Sequence, residues 1–123
     1  MGKRALIADD NEKNRKLLRV ILGKSGYETT EAQDGARALA LARELRPDII
    51  LMDYRMPVMN GIEVTRALKA DAATASIPVF IVTSSAMDGD RDRIIRESGC
   101  DELYTKPIDY KQILAAVGRR IGE

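Results

Sequence analysis

Short apolar runs alternate with helix-like patterns from one end of the chain to the other. The run Ile49–Met52 is continuous rather than alternating, which is typical of a strand covered on both faces. We predict five strands, at Ala5–Ala8, Tyr27–Ala32, Ile49–Met52, Ile77–Val82 and Glu102–Thr105. After each strand, apolar residues recur every three or four positions, as on the buried side of an amphipathic helix.

This spacing predicts five helices. They contain Leu17–Leu22, Ala38–Leu45, Val64–Leu68, Asp88–Ser98 and Ile113–Ile121. Gly26 and Gly99 are predicted to stop the first and fourth helices, and Pro47 to end the second. Asp109, with Gln112 three residues later, is predicted to cap the fifth helix.

The alternation of strands and helices predicts an α/β fold, a doubly wound parallel sheet with helices on both faces. A chain of 123 residues fits one domain, so we expect a single domain over residues 1–123 with no output domain attached. If the strand order is 2-1-3-4-5, the first and third strands are central neighbours. Ligands of such sheets bind beyond the carboxyl ends of the strands, where the strand order reverses.

Candidate residues for metal binding and phosphoryl chemistry follow the first, third, fourth and fifth predicted strands at that edge. They are Asp9 and Asp10, Asp53, Thr83 and Ser84, and Lys106. The three acids would share one crevice, where each pair of like charges costs about 4 kcal/mol at about 4 Å and an effective dielectric near 20. Either a proton on one acid or a bound divalent cation would relieve this repulsion.

The chemistry of these residues favours Mg²⁺ and phosphoryl transfer. The ligands are all oxygen atoms, which suits a hard cation such as Mg²⁺. A carboxylate can attack phosphorus to form an aspartyl phosphate, and Asp53 is the best placed of the three acids. The Lys106 ammonium and the Thr83 hydroxyl would then stabilise the oxygens of the phosphoryl group.

Composition excludes several other classes of protein. The net charge is +1, so no basic patch for nucleic acid is expected, and no apolar run approaches the roughly 18 residues of a membrane span. Cys100 is the single cysteine, and no signal peptide is recognised at the start of the chain. We therefore expect a cytoplasmic protein without disulfide bonds.

Four motifs together resemble the receiver domain of bacterial two-component response regulators, from about Arg4 to Ile121. They are Ile7–Asn11, Ile49–Gly61, Ile81–Ser84 and Tyr104–Pro107. The stretch Ala86–Asp90 is further similar to stand-alone receivers of the cell-division type and to receivers of hybrid kinases. The resemblance implies that Asp53 is the phospho-acceptor and that Lys106, joined to Pro107 by a cis bond, contacts the phosphoryl group. It assigns Mg²⁺ to Asp9, Asp10, Asp53 and the backbone carbonyl of Arg55.

The resemblance also implies a switch and a set of partners. Thr83 would move toward the phosphoryl group, and Tyr104 would follow it from an outward to an inward rotamer. The donor would be a sensor histidine kinase or a phosphotransfer protein. A downstream protein would bind the face formed by the fourth helix, fifth strand and fifth helix, with the chain a monomer or weak dimer. Final output and an intermediate role in a phosphorelay remain alternatives, and the chain could also be a receiver cut from a longer protein.

Two other functions compete with this interpretation. A phosphatase-like enzyme with an aspartate nucleophile would carry a second acid two residues after the first, where this chain has Arg55. A pseudo-receiver would bind partners without phosphorylation, yet the acids, Thr83 and Lys106 are all present. Nucleotide binding is disfavoured because no glycine-rich phosphate loop follows the first strand.

Overall fold

Strands and helices alternate along the chain as the sequence predicts. A computed structural model describes residues 2–84 and 90–122. The strands are β1 (Arg4–Ala8), β2 (Glu28–Ala32), β3 (Ile49–Asp53), β4 (Val79–Thr83) and β5 (Glu102–Thr105). The helices are α1 (Glu12–Lys24), α2 (Gly35–Leu45), α3 (Gly61–Lys69), α4 (Asp90–Ser98) and α5 (Tyr110–Ile121).

The five strands form one parallel sheet in the order β2-β1-β3-β4-β5. The predicted fold is therefore confirmed. In the register of the central pair, Ala8 of β1 lies opposite Met52 of β3. Asp9 and Asp53, the next residue of each segment, consequently reach the carboxyl edge of the sheet side by side.

Two hydrophobic cores lie on opposite faces of the sheet. Alternate strand residues point to opposite faces, so Ile50 and Met52 enter one core while Ile49 and Leu51 enter the other. Helices α2, α3 and α4 cover the first face, and α1 and α5 cover the second. Burial on both faces explains the continuous apolar run that predicted β3.

Capping residues fix where the helices begin. Asp109 caps α5 as predicted, and its side chain accepts a hydrogen bond from the Gln112 backbone N–H at 3.2 Å. Helix α3 begins with a capping box that was not among the predictions, in which the side chains of Asn60 and Glu63 each accept a hydrogen bond from the other's backbone N–H. Gly99 follows α4 with φ +74°, a left-handed conformation that suits glycine at a helix end.

The start of β4 differs from the prediction. This strand begins at Val79 rather than Ile77, because Pro78 has no N–H to give to the sheet. The Ile77 N–H instead donates to the Thr74 carbonyl in the preceding turn, at 3.1 Å. The predicted start of the fourth helix, Asp88, lies outside the described residues.

None of the helices in the described ranges is both long and apolar enough to cross a membrane. The longest of them, α1, has 13 residues.

The loop between β3 and α3 contains a strained turn. Val58 has φ +72°, although a β-branched side chain disfavours that region. The Met59 N–H donates to the Pro57 carbonyl at 2.8 Å, closing a three-residue γ-turn around Val58. Since the Val58 side chain is 77% exposed, its burial does little to offset this strain.

We expect Val58→Gly to stabilise the protein by about 1 kcal/mol. Relief of left-handed backbone strain exceeds the extra chain entropy that glycine brings to the unfolded state. The free energy of unfolding, measured by urea titration, tests this. Val20→Gly is the matched control, because Val20 is an exposed valine inside α1 and the same change should destabilise the protein there. Destabilisation by both substitutions would contradict the prediction.

Candidate functional site

Three acids meet at the carboxyl edge of the two central strands. Asp9 and Asp10 follow β1, and Asp53 is the last residue of β3. One carboxylate oxygen from each acid lies within 4.8 Å of the others. Asp9 is buried, Asp53 is partly buried and Asp10 is exposed. The structure thus brings together the three acids that the sequence analysis placed in one crevice.

Lys106 supplies positive charge to this cluster. Its Nζ lies 3.4 Å from Asp9 Oδ2 and 3.4 Å from Asp53 Oδ1. Lys106 follows β5, and its backbone N–H donates to the Thr83 carbonyl at 2.8 Å. The peptide bond between Lys106 and Pro107 is cis, as the resemblance implies.

Thr83 reaches the same edge from β4. Asp53 lies opposite Val82 in the sheet register, so Thr83 is one position beyond the acid. Thr83 is buried, with 2% of its surface exposed. Sheet register and burial therefore put this residue beside the acid cluster, at the end of the strand next to Asp53.

Tyr104 lies on β5, and its hydroxyl bonds a carboxylate outside the acid cluster. Its ring centre is 5.6 Å from that of Phe80, and its hydroxyl donates to the Glu102 carboxylate. Arg120 of α5 also donates to this carboxylate, with Nε 2.8 Å from Glu102 Oε2. Burial and the Glu102 carboxylate raise the pKa of Tyr104 to about 12. Tyr104 is thus tied to its own strand and to α5.

The loop after Asp53 is held by close backbone contacts. The Gly61 N–H donates to the Tyr54 carbonyl at 2.7 Å, and a Cβ on Gly61 would lie 2.9 Å from the Asp53 carbonyl oxygen. At Gly35, a Cβ would lie 1.9 Å from the Met59 carbonyl oxygen. Both glycines permit an approach that any side chain would prevent.

Arg55 is exposed on this loop. Together with Asp10, it borders an open cavity of about 440 Å³. The cavity is also lined by Tyr54, Met56, Pro57 and Asn60. Its position gives solvent access to the exposed side of the acid cluster.

One contact between this loop and α4 is not predicted by the sequence. Arg93 Nη2 donates to the Tyr54 hydroxyl at 3.2 Å. Tyr54 is the residue after Asp53, so this bond connects α4 to the strand that carries the acid. No local sequence pattern predicts this contact, because Arg93 and Tyr54 are 39 positions apart.

The crowded acids alter the ionisation of Asp53. Burial and the negative charge of Asp9 raise the pKa of Asp53 to about 6, although Lys106 partly offsets both effects. A nearby cation stabilises the ionised form of such a carboxylate, and Mg²⁺ binds oxygen ligands, typically one or two carboxylates with waters and phosphate oxygens. The donor set therefore fits Mg²⁺.

The raised pKa predicts an unusual dependence of stability on pH in the absence of Mg²⁺. Unfolded Asp53 loses its proton near its ordinary pKa of 3.8, before the folded form does, so stability falls as the pH rises from about 4 to about 6. Asp53→Asn removes this penalty. We expect the variant to be about 1–2 kcal/mol more stable than wild type at pH 7.5, after discounting for solvent screening.

Urea unfolding in the presence of EDTA between pH 4 and pH 7.5 measures this difference. The extra stability of Asp53→Asn over wild type should shrink toward pH 4. Glu44→Gln is a control, since Glu44 is an exposed acid on α2, away from the cluster. Equal stability of Asp53→Asn and wild type at pH 7.5 would show that ionised Asp53 does not destabilise the folded protein.

The sequence is similar to known response regulators over its whole length. It is 45% identical over 123 residues to the polar-differentiation response regulator DivK of Brucella anthropi, covering 100% of this chain and 99% of that one. The protein of the same name from Brucella abortus strain 2308 is 44% identical, with the same coverage of both chains.

Solved structures with the same fold include two receiver proteins. The receiver domain of sensor histidine kinase PA1611 from Pseudomonas aeruginosa PAO1 has a TM-score of 0.91 and 31% identity, covering 100% of both chains. That structure has a magnesium ion coordinated in its active-site cleft. Chemotaxis response regulator CheY4 of Vibrio cholerae has a TM-score of 0.89 and 27% identity, covering 98% of this chain and 100% of the other.

One family matches nearly all of the sequence. It is described as the response regulator receiver domain, and the match runs over residues 5–118. The matched range contains the three acids and Lys106. The chain therefore belongs to the response regulator receiver domain family.

Proposed function

We propose that this receiver domain is a switch in which Asp53 accepts a phosphoryl group from a phosphohistidine. Membership of the family implies a histidine kinase or a phosphotransfer protein as partner. One observation carries the choice of Asp53. Asp9 and Asp53 both lie 3.4 Å from Lys106 Nζ, but the Asp53 side chain is 11% exposed against 5% for Asp9, whose Oδ1 already accepts a hydrogen bond from the Asn11 N–H.

The transfer step follows from the chemistry of the carboxylate. An oxygen of Asp53 attacks phosphorus, a new P–O bond forms, and the P–N bond to the donor imidazole breaks. The electron pair of that bond stays on the imidazole nitrogen, which takes up a proton. Asp53 must be ionised to attack, and its pKa of about 6 leaves it mostly ionised near pH 7.5. Lys106 then offsets negative charge on the transferred oxygens.

Receiver domains bind Mg²⁺ at an acidic pocket, and the acid cluster of this chain fits that ion. In our proposal the ligands are Asp9, Asp10, Asp53 and the backbone carbonyl of Arg55. When bound, Mg²⁺ offsets the negative charge of the carboxylates and of the incoming phosphoryl oxygens. Asp10 and Arg55 border the open cavity, so the ion would enter from that side.

The switch itself would run through Thr83 and the neighbouring strand β5. A phosphoryl group on Asp53 adds a charge of about −1.5 to −2 and strong acceptor oxygens, which the Thr83 hydroxyl can approach. Tyr104 would have to leave its bond to Glu102 in order to follow Thr83 inward. This exchange would alter the face formed by α4, β5 and α5, where the Glu102–Arg120 ion pair also lies.

The bond between Arg93 and Tyr54 supports a second route, by which a change at Asp53 would reach α4 of the same face through Tyr54.

A partner that prefers the phosphorylated form would shift the equilibrium between the two conformations by no more than the difference between its affinities for them. Output by protein binding rests on the prediction that the chain is a single domain. The cytoplasmic location and the monomer or weak dimer remain predictions from the sequence.

Mass spectrometry tests the phospho-acceptor. Incubation with acetyl phosphate and Mg²⁺ should add one phosphoryl group to wild type and none to Asp53→Asn, because an amide is not the required nucleophile. Asp92→Asn is the matched control, since Asp92 is an exposed acid on α4, and it should be labelled like wild type. Chelation of Mg²⁺ should abolish labelling in both.

The same experiment separates the competing functions. Steady release of phosphate over many turnovers would favour a phosphatase-like enzyme, whereas one phosphoryl group per chain favours the switch. Absence of both labelling and Mg²⁺ binding in wild type would favour the pseudo-receiver. Labelling of Asp53→Asn at the wild-type level would exclude Asp53 as the acceptor.

A second experiment tests the role of Thr83. In protein labelled with fluorotyrosine, the ¹⁹F resonance of Tyr104, assigned with Tyr104→Phe, should shift on phosphorylation of wild type. Thr83→Ala should lose most of this shift even when it is fully phosphorylated, because the hydroxyl that responds to the phosphoryl group is missing. Thr30→Ala on β2, at the opposite edge of the sheet, should keep the shift. A wild-type shift in Thr83→Ala would refute this route.

A further inference from the structure

Arg15 is a charged residue on the buried side of α1. It shares that side with Leu18 and Leu22, and 8% of its side chain is exposed. Arginine is rarely buried unless its guanidinium is fully paired. The function proposed above gives this residue no role, so its burial calls for an explanation.

The guanidinium of Arg15 joins two structural elements beside the acid cluster. Its Nη1 donates to the backbone carbonyl of Asp9 at 2.8 Å, and its Nε donates to Glu31 Oε1 at 3.1 Å. Glu31, on β2, also pairs with Arg19 Nη1 at 2.5 Å. Burial disfavours the charge on Glu31, but hydrogen bonds from Arg19 and Arg15 outweigh it and lower the pKa of Glu31. Glu31 is therefore ionised, and its carboxylate holds the Arg15 guanidinium in place.

These bonds determine how Asp9 is presented. The Asp9 N–H donates to the Ala32 carbonyl of β2 at 3.1 Å, and the Asp9 carbonyl accepts from Arg15. Both peptide groups around Asp9 are thus held by hydrogen bonds, one to β2 and one to α1. The side chain projects into the acid cluster, where Oδ1 accepts from the Asn11 N–H at 2.9 Å and Oδ2 lies near Lys106.

We propose that Arg15 is a positioning residue for the Mg²⁺ site, acting through the backbone carbonyl of Asp9. This inference rests on the proposed function, in which Asp9 and Asp10 hold the ion. Without the bond from Arg15, the turn between β1 and α1 samples more orientations, and the two carboxylates are less often directed toward Asp53. Substitution of a residue that hydrogen-bonds a metal ligand typically weakens metal affinity by about 10–100-fold, so we expect a measurable weakening of Mg²⁺ binding.

Electrostatics alone predicts the opposite sign. Arg15 is a cation near a cation site, so its removal would strengthen Mg²⁺ binding if charge were the main effect. The loss would also leave Glu31 with less compensation, which again favours a cation. A weaker affinity in Arg15→Met therefore identifies positioning and excludes a simple charge effect.

Isothermal titration with Mg²⁺ at pH 7.5, on variants shown to be folded by circular dichroism, tests the inference. We expect Arg15→Met to bind Mg²⁺ about 10-fold more weakly than wild type. Arg19→Met is the matched control, because it removes the other ion pair with Glu31 and leaves the bond to Asp9 intact. Its affinity should stay within about twofold of wild type.

Arg15→Lys provides rescue and a safeguard. Lysine keeps a donor and a positive charge but lacks the fork that reaches both Asp9 and Glu31, so its affinity should fall between wild type and Arg15→Met. If Arg15→Met does not fold, the comparison of Arg15→Lys with Arg19→Met decides. Wild-type or tighter binding by the folded Arg15 variants would overturn the inference.

The two proposals fail in different ways. If wild type binds no Mg²⁺ and takes no phosphoryl label, the proposed function falls and this inference falls with it. If wild type binds Mg²⁺ and Arg15→Met binds it equally well, the metal site stands and Arg15 has a structural role alone.

Discussion

Repulsion between three carboxylates is the constraint around which the carboxyl edge of this sheet is organised. The adjacent strands β1 and β3 hold the acids together, and the single positive charge of Lys106 compensates only part of their negative charge. Burial of Asp53, together with the repulsion from Asp9 that remains, raises the pKa of Asp53 to about 6. The folded chain supports this local cost because two well-packed cores lie on the faces of the sheet, away from the edge. A pocket under such repulsion responds strongly to any cation or phosphoryl group that enters it.

The sequence was sufficient for the fold and for the acid cluster, since both follow from local patterns. Apolar runs mark the strands, and in a parallel sheet the residue after each strand necessarily reaches the same edge. The contact between Arg93 and Tyr54 was out of reach, because it depends on how α4 packs against the sheet. Arg15 did leave a signal, for it stands at helical spacing from Leu18 and Leu22 on the apolar side of α1. A charge on that side indicates a buried partner, but the sequence does not say which.

The Tyr104 region and the acid cluster draw on different kinds of interaction. Charge dominates among the acids, whereas Tyr104 is held by ring packing on Phe80 and by a carboxylate that it shares with Arg120. An inward movement of Tyr104 would release Glu102 from one of its donors while the pair with Arg120 could persist. The face formed by α4, β5 and α5 would then change shape more than it changes charge.

The close approach at Gly35 sets how near the loop after Asp53 lies to α2. A Cβ at this position would lie 1.9 Å from the Met59 carbonyl oxygen, so the present spacing requires glycine. On the side of α4, two kinds of contact join this helix to the acceptor strand: Ile94 is buried in the same core as Ile50 and Met52, and Arg93 donates to the Tyr54 hydroxyl. A side chain at position 35 would therefore push the loop that carries Arg55 away from α2, so a residue remote from the acids can displace one of the proposed metal ligands.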